Sequence, residues 1–490
     1  MSDRFTCIAV DMGAGSIRLM LGTLDGGKLS CEEAYRISNE TVEIDGHERW
    51  DIERIFAEIR KGIARAIALA EDAPESIGVD SWGVDFVMLD EEGKLLELPV
   101  AYRDSRTEGM MDQWRTMMGD AETYARSGIN FYVFNTLFQL LSLKGSGLLD
   151  ASASLLFIPA YINYLLTGKV ANELSSSSTS QMLGVLGRQW DEAILGHLNL
   201  DPAKLGEVVD AGTRLGPVVL PEVRETKMEG VAVCGHDTAC AVAAIPVETP
   251  DFAYISTGTW CIVGIESDTP LLSKEALELG LTNERGYGNS YRILKNIVGL
   301  WLLRGLKKAL PDSTSFSEME AMTLEAGHVG QVIDPDAALF YNPDDMKAAF
   351  DAYFEQSGQS IPERFGAYLC CAYDSLCFSF RYHVEELERL SGKPVRHLHL
   401  IGGGSQSDYL NQRIATICRR KVVSGPVEGA ALGNMLIQGI AMGRIDSLET
   451  GRQLVRQSCK LKTYLPGKDD SQNQARFEHF LRLKLHSNES

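Results

Sequence analysis

The residues of this chain best suited to chemistry are carboxylates that stand where an apolar run ends and a glycine turn begins. Asp11 closes Phe5-Thr-Cys-Ile-Ala-Val and precedes Met12-Gly-Ala-Gly-Ser16. An acid there can hold a hydrated Mg²⁺ while the turn's amides face a phosphate, though an ordinary hairpin with a polar tip has the same composition. Asp80-Ser-Trp-Gly-Val-Asp85 sets two carboxylates beside an aromatic face. That suits a sugar, whose C–H faces stack on rings and whose hydroxyls pair with carboxylates; a buried tryptophan with solvated acidic neighbours reads the same way. Val100-Ala-Tyr-Arg-Asp-Ser-Arg106 adds a polar cluster. In Val231-Ala-Val-Cys-Gly-His-Asp-Thr-Ala239, Asp237 lies between a strand end and a small-residue helix, where it either meets a ligand or caps the helix. Gly402-Gly-Gly404, between a strand and a helix, lets backbone approach a flat or phosphorylated ligand.

The elements that must position these groups are legible from periodicity. Residues 5–23 read as strand, small turn, strand, and Asp25-Gly-Gly27 supplies the next hairpin turn. Gly22–Lys28 imitates the start of a P-loop, but Leu29 stands where a Ser or Thr belongs and the segment joins strand to strand. Asp51 is a helix N-cap before the stripe Ile52, Ile55, Phe56, Ile59, Ile63 and Ile67, and 76–89 returns as a strand. Strand, helix, strand implies a parallel crossover and an α/β class. Residues 107–230 read as mostly helical, with loops at Leu174–Ser180 and Gly212–Pro221.

Ile245-Pro-Val-Glu-Thr-Pro250 marks a boundary, after which Phe252–Ile265 repeats the opening hairpin. Two halves that open alike suggest duplication, with a cleft between them as the natural ligand site. The expected division is a sugar-binding domain over 1–245, a nucleotide-binding domain over 246–465 and a tail over 466–490. A helix is expected over Asn296–Leu310 and another over 361–391. Val395–Ile401 reads as a strand, and a small-residue helix from Glu428 is expected to pack on the triple glycine. The polar tail reads as helical or partly disordered.

Hydrophobic content of 44% and charged content of 23% in 490 residues allow two large cores. A net charge of −20 disfavours a nucleic-acid partner. Ten cysteines without a C-x-x-C pair read as reduced, buried thiols. The absence of a signal-peptide run and of ~18 consecutive apolar residues leads us to expect a cytoplasmic protein with no membrane partner. No G-x-G-x-x-G is present, which disfavours a dehydrogenase.

Six ordered segments carry a resemblance: AVDMGAGSIR at 9–18, DSWGVDF at 80–86, AYRDSRT at 101–107, GHDTA at 235–239, STGTW at 256–260 and IGGGSQS at 401–407. Together they resemble the FGGY family of carbohydrate kinases over nearly the whole chain. The resemblance implies two actin-like, ribonuclease-H-like α/β domains with an interdomain cleft, and ATP and Mg²⁺ as cofactors. It implies nucleotide contacts at Gly13, Ala14, Gly15, Ser16, Ile17, Thr257, Gly258, Thr259, Asn296 and Gly402. Sugar contacts are implied at Trp82, Gly83, Asp85, Arg103, His236, Asp237 and Thr238, with Asp237 as catalytic base and Asp11 on the metal through water. DSWGVDF, AYRDSRT, CGHDTA and NIVGLWLL at 296–303 are most similar to the branch that phosphorylates L-rhamnulose at its 1-hydroxyl. Fuculose, xylulose or a related ketose is the alternative substrate, and a non-catalytic sugar sensor the alternative role. Arg304 joins the nucleotide set where that branch tends to carry Gln, and Gly15 and Ile17 depart from its usual serine and glycine. A monomer or homodimer is expected.

Overall fold

The computed structural model describes residues 4–223, 226–327, 329–467 and 471–487. It divides into two compact units, the first comprising residues up to Pro246 with Glu266–Ile293 and Glu428–Cys459, the second Val247–Ile265, Leu294–Val427 and Lys460 onward.

The first unit is built on a six-stranded sheet in the order Thr213–Pro217, Glu229–Ala232, Ser76–Ser81, Phe5–Met12, Ser16–Asp25, Lys28–Ser38. The middle three strands are parallel to one another, as the helical crossover Ile52–Leu69 requires. Strand periodicity decides what each side chain of Phe5–Met12 meets. Ile8, Val10 and Met12 share a core with Ile52, Ile55, Ile59 and Ile63. Phe5, Cys7 and Ala9 face the other way, onto Leu432 and Met435 of the helix Gly429–Ala441. Asp51 caps the crossover helix through Arg54 N at 3.0 Å.

The helix Gly429–Ala441 packs on Asp237–Ala243. A Cβ at Gly433 would lie 1.8 Å from Cys240 O, so only glycine permits that approach. Three expectations are corrected. The run 76–89 is two strands, Ser76–Ser81 and Phe86–Leu89, and the second pairs with Ser154–Phe157 in a separate ribbon. The serine run is a buried helix, Leu174–Thr179, because its hydroxyls return hydrogen bonds to carbonyls three or four residues earlier and Glu173 caps its first amides. The stretch 107–230 also contains strands, including Ala171–Glu173, Glu207–Val209 and Thr213–Pro217, the last inside an expected loop.

The second large sheet has seven strands in the order Thr282–Arg285, Tyr291–Val298, Trp260–Ser267, Phe252–Thr257, His397–Ile401, Lys421–Ser424, Lys462–Tyr464. The expected opening hairpin is present, Phe252–Thr257 being antiparallel to Trp260–Ser267. Asn296 belongs to a strand, and the helix begins only at Trp301, since the main chain turns through Gly299. The 27-residue helix Phe365–Ser391 is flanked by Phe316–Ala326 and Asp408–Cys418. The tail supplies a helix, Ser471–Ser487, whose Phe477 and Phe480 lie 5.9 and 6.1 Å from Phe378, ring to ring. Tail residues 468–470 and 488–490 lie outside the described residues.

Candidate active site

Three strands of the first unit bring their carboxyl ends together, the place where parallel α/β sheets present ligand-binding groups. Asp11 and Asp80 are direct partners across Phe5–Met12 and Ser76–Ser81. Ser81 bridges His236, and its amide donates to Gly235 O at 2.8 Å. Asp237 then opens the helix Asp237–Ala243, with His236 rather than Asp237 at the N-cap position. The Asp237 carboxylate accepts from Thr238 N and, at 3.1 Å, from the Thr238 hydroxyl, and its side chain remains 30% exposed. A partly exposed carboxylate at a strand end can take a proton from a bound hydroxyl.

Asp11 and Asp80 are buried. Burial pushes the Asp11 carboxyl up against the pull of Arg18, and nearby Asp237 and Glu428 push it the same way. Asp80 is raised further, by burial and by the charge of Asp11, while Asn434 Nδ2 opposes at 2.6 Å. Asp80 Oδ1 has no hydrogen-bond partner among the described residues. Crowded like charges and an orphaned oxygen suit a hard divalent cation with oxygen ligands, so the residues fit Mg²⁺. No three His, Cys, Asp or Glu side chains among the described residues converge as a direct metal cage. Arg18 bonds both Asp11 and Glu428. Sequence reasoning missed it, although its position directly opposite Asp11 in the hairpin is a cross-strand pairing.

Gly13 N donates to Ser16 O at 3.0 Å and closes the small turn, and Ala14 stands half-buried in it. Gly15 is exposed with open space where a Cβ would stand, whereas the Ile17 side chain is core and offers the turn only its backbone. Asp85 is wholly buried: Oδ2 accepts from Trp50 Nε1 at 2.7 Å, Trp82 Nε1 at 2.9 Å and Tyr102 N at 3.2 Å, and Oδ1 from Gln139 Nε2 at 3.1 Å. Burial nevertheless pushes its carboxyl up to about 6 against those donors. Trp82 is buried too, its ring 4.4 Å from that of Trp50. Gly83 adjoins the site, since a Cβ there would lie 3.3 Å from Thr179 Oγ1 and 3.6 Å from His236 Nε2. Arg103 is exposed beside Tyr102. Glu173, also missed, accepts from Gly235 N at 2.8 Å and ties the His236–Asp237 turn to the serine helix.

The second unit gathers the other glycine turn. Thr257 ends its strand and donates through Oγ1 to Ile401 O at 2.9 Å, while Gly258 O accepts from Leu300 N at 2.9 Å. Gly402, at φ +82°, passes so close that a Cβ would stand 2.7 Å from Thr257 O. Asn296 is half-buried near the end of its strand. Arg304 is exposed, and Nη1 donates to Thr259 Oγ1 at 2.8 Å. Thr257, Thr259, Gly402 and Arg304 thus form one cluster, with Gly403 open above it.

Family models describe both halves of the sequence: the FGGY carbohydrate kinase N-terminal domain matches residues 6–244 and the C-terminal domain residues 253–442. The chain belongs to the FGGY family of carbohydrate kinases. Its curated relatives include a rhamnulokinase of Pectobacterium carotovorum, 39% identical with 94% of this chain and 92% of the relative covered. A Bacteroides thetaiotaomicron rhamnulokinase is 38% identical, with 96% and 98% covered. Among solved structures, a Plasmodium falciparum glycerol kinase with ADP superposes with a TM-score of 0.83 at 16% identity, covering 99% of this chain and 98% of that one. The fold of this FGGY kinase is therefore the two-domain actin-like, ribonuclease-H-like α/β architecture, and the enzyme is a phosphotransferase acting on a sugar hydroxyl.

Proposed function

We propose that this FGGY kinase transfers the γ-phosphoryl group of ATP to the 1-hydroxyl of L-rhamnulose, giving L-rhamnulose 1-phosphate and ADP. The observation that carries the reading is Asp237, a partly exposed carboxylate at the parallel strand ends beside the buried Asp11–Asp80 pair. Full-length similarity to rhamnulokinases supports the choice of ketose. Asp237 accepts the hydroxyl proton as the sugar oxygen attacks phosphorus, the P–O bond to ADP breaks, and the proton passes to solvent. Such proton transfer contributes roughly 10²–10⁴-fold, and positioning with charge stabilisation the remainder.

His236, Thr238, Gly83 and Arg103 bind the sugar. Trp82 and Asp85, both buried, hold the wall behind it. Asp11 would hold Mg²⁺ through water, which when bound neutralises charge on the nucleotide phosphates. The amides of Ala14, Gly15, Ser16 and Ile17, in the turn that Gly13 closes, are phosphate donors, and so are those of Thr257, Gly258 and Thr259. Asn296 and Gly402 complete the nucleotide set, and Arg304 adds a positive charge through Thr259. In this reading the sugar is held mainly by residues of 1–245 and the nucleotide mainly by 246–465 with the Gly13–Ile17 turn, in a monomer or homodimer. Asp237→Asn is expected to retain ketose binding while kcat falls at least about 10²-fold. Near-normal ADP release from that variant would remove Asp237 as the base.

A further inference from the structure

Behind His236 lies an ionic pair that the proposed reaction does not use. Arg292 is wholly buried, and its Nη2 donates to Glu284 Oε2 at 2.7 Å and to His236 Nδ1 at 3.1 Å. Its Nε donates to Arg285 O at 3.2 Å, which fixes the plane of the guanidinium. We propose that Arg292, anchored by Glu284, is a positioning residue that holds His236 as its neutral Nε2–H tautomer, leaving Asp237 the only base beside the sugar. This rests on the sugar-kinase reading of the site.

A guanidinium has donors and no acceptor, so the His236 nitrogen that meets Arg292 must present a lone pair. Nδ1 is therefore the unprotonated nitrogen, and the single ring proton of the neutral imidazole lies on Nε2. An imidazolium would set an N–H and a positive charge against the arginine. Glu284 Oε2, 3.2 Å from Nδ1, is the competitor that would draw a proton onto that nitrogen. Arg292 donates to this same oxygen at the shorter distance, 2.7 Å. Burial would raise the Glu284 carboxyl, but the Arg292 guanidinium is the strongest pull against it and keeps it low, so the anchor stays charged.

Nε2 faces the reacting end. It lies 3.5 Å from Asp237 Oδ1, and a Cβ on Gly83 would approach it to 3.6 Å. From there Nε2–H can donate to a sugar oxygen without competing for the proton that Asp237 takes. The charged groups around the imidazole are Asp237 on its own helix, and Glu284 and Arg292 behind it. The neighbouring serine helix contributes the Ser175 hydroxyl, which accepts from His236 N at 3.2 Å, and beyond it the buried Glu173. Three ionic groups thus converge on one ring, and only the permanently charged one determines its proton.

The test is a long-range proton–nitrogen spectrum of the imidazoles in the free, full-length protein, with the His236 signals assigned from His236→Gln. The expected result is a ring whose single proton lies on Nε2. Arg292→Met should move the proton to Nδ1. It should also lower kcat/KM for the ketose by roughly tenfold to a hundredfold, and Arg292→Lys should recover part of both. An Nδ1–H or charged ring in the wild-type protein overturns the proposal. So does loss of activity in Arg292→Met with the tautomer unchanged. Because the wild-type spectrum needs neither sugar nor nucleotide, it decides even if Arg292→Met does not fold. Failure of the sugar-kinase reading would appear separately, as wild-type protein that releases no ADP with any ketose.

Discussion

Asp11 and Asp237 lie within each other's electrostatic reach, yet their surroundings suit them to different work. Asp237 keeps part of its carboxylate open, while Asp11 is buried and already engaged by Arg18. If Asp11 holds the metal, Asp11→Ala should raise the Mg²⁺ concentration needed for half-maximal turnover while ketose binding changes little. Titrating Mg²⁺ in both proteins checks this, and an unchanged requirement would remove Asp11 from that role. Glu284 gives a stability effect with a definite sign. The unfolded chain takes up a proton on this residue as pH falls through about 4, whereas the folded protein resists until about 2. The stabilisation is therefore complete above about pH 4 and disappears between these values, at roughly 3 kcal/mol in full. Glu284→Gln should flatten that part of the acid-unfolding curve, and a curve that keeps its slope there would contradict the assignment.

At the scale of elements, what the sequence disclosed and what it hid have different physical origins. Phe5–Met12, the crossover helix and the opening hairpin of the second unit were readable because local alternation or a 3.6-residue stripe specifies them. The serine helix was not, because its stability comes from hydroxyls bonding back along their own turn and from a buried carboxylate. Glu173 Oε2 accepts from Ser175 N and Gly235 N, both at 2.8 Å, from Ser176 N at 3.2 Å and from Ser175 Oγ at 2.6 Å. Truncating it leaves buried donors unpaired. Glu173→Ala should cost about 2–4 kcal/mol in denaturant unfolding and raise the ketose KM. A loss below about 0.5 kcal/mol would show that this acceptor does not organise the turn. Asn296 was misplaced because the apolar pattern of Ile297, Leu300, Trp301 and Leu303 runs through the end of a strand, a glycine turn and the start of a helix.

At the scale of the molecule, sequence order and spatial order diverge. The helix Gly429–Ala441 follows the triple glycine along the chain but shares the first unit with Asp237–Ala243, where Gly433 meets Cys240. No local pattern announces such a return. The long-range pairs of the candidate site were hidden for the same reason, Arg18 with Glu428 and Arg292 with His236 being joined only in the folded chain. The carboxylates and glycine turns stood out because strand ends and turns restrict residue type locally. Ketose identity rests on a few hydroxyl contacts and is the least local property of all. It is tested by ADP release with Mg·ATP across a panel of L-rhamnulose, L-fuculose, xylulose and related ketoses and polyols. The expected result is the highest kcat/KM with L-rhamnulose and a product carrying phosphorus on its 1-oxygen. A clear preference for another ketose would contradict the substrate assignment, and no ADP release with any of them would contradict the proposed reaction itself.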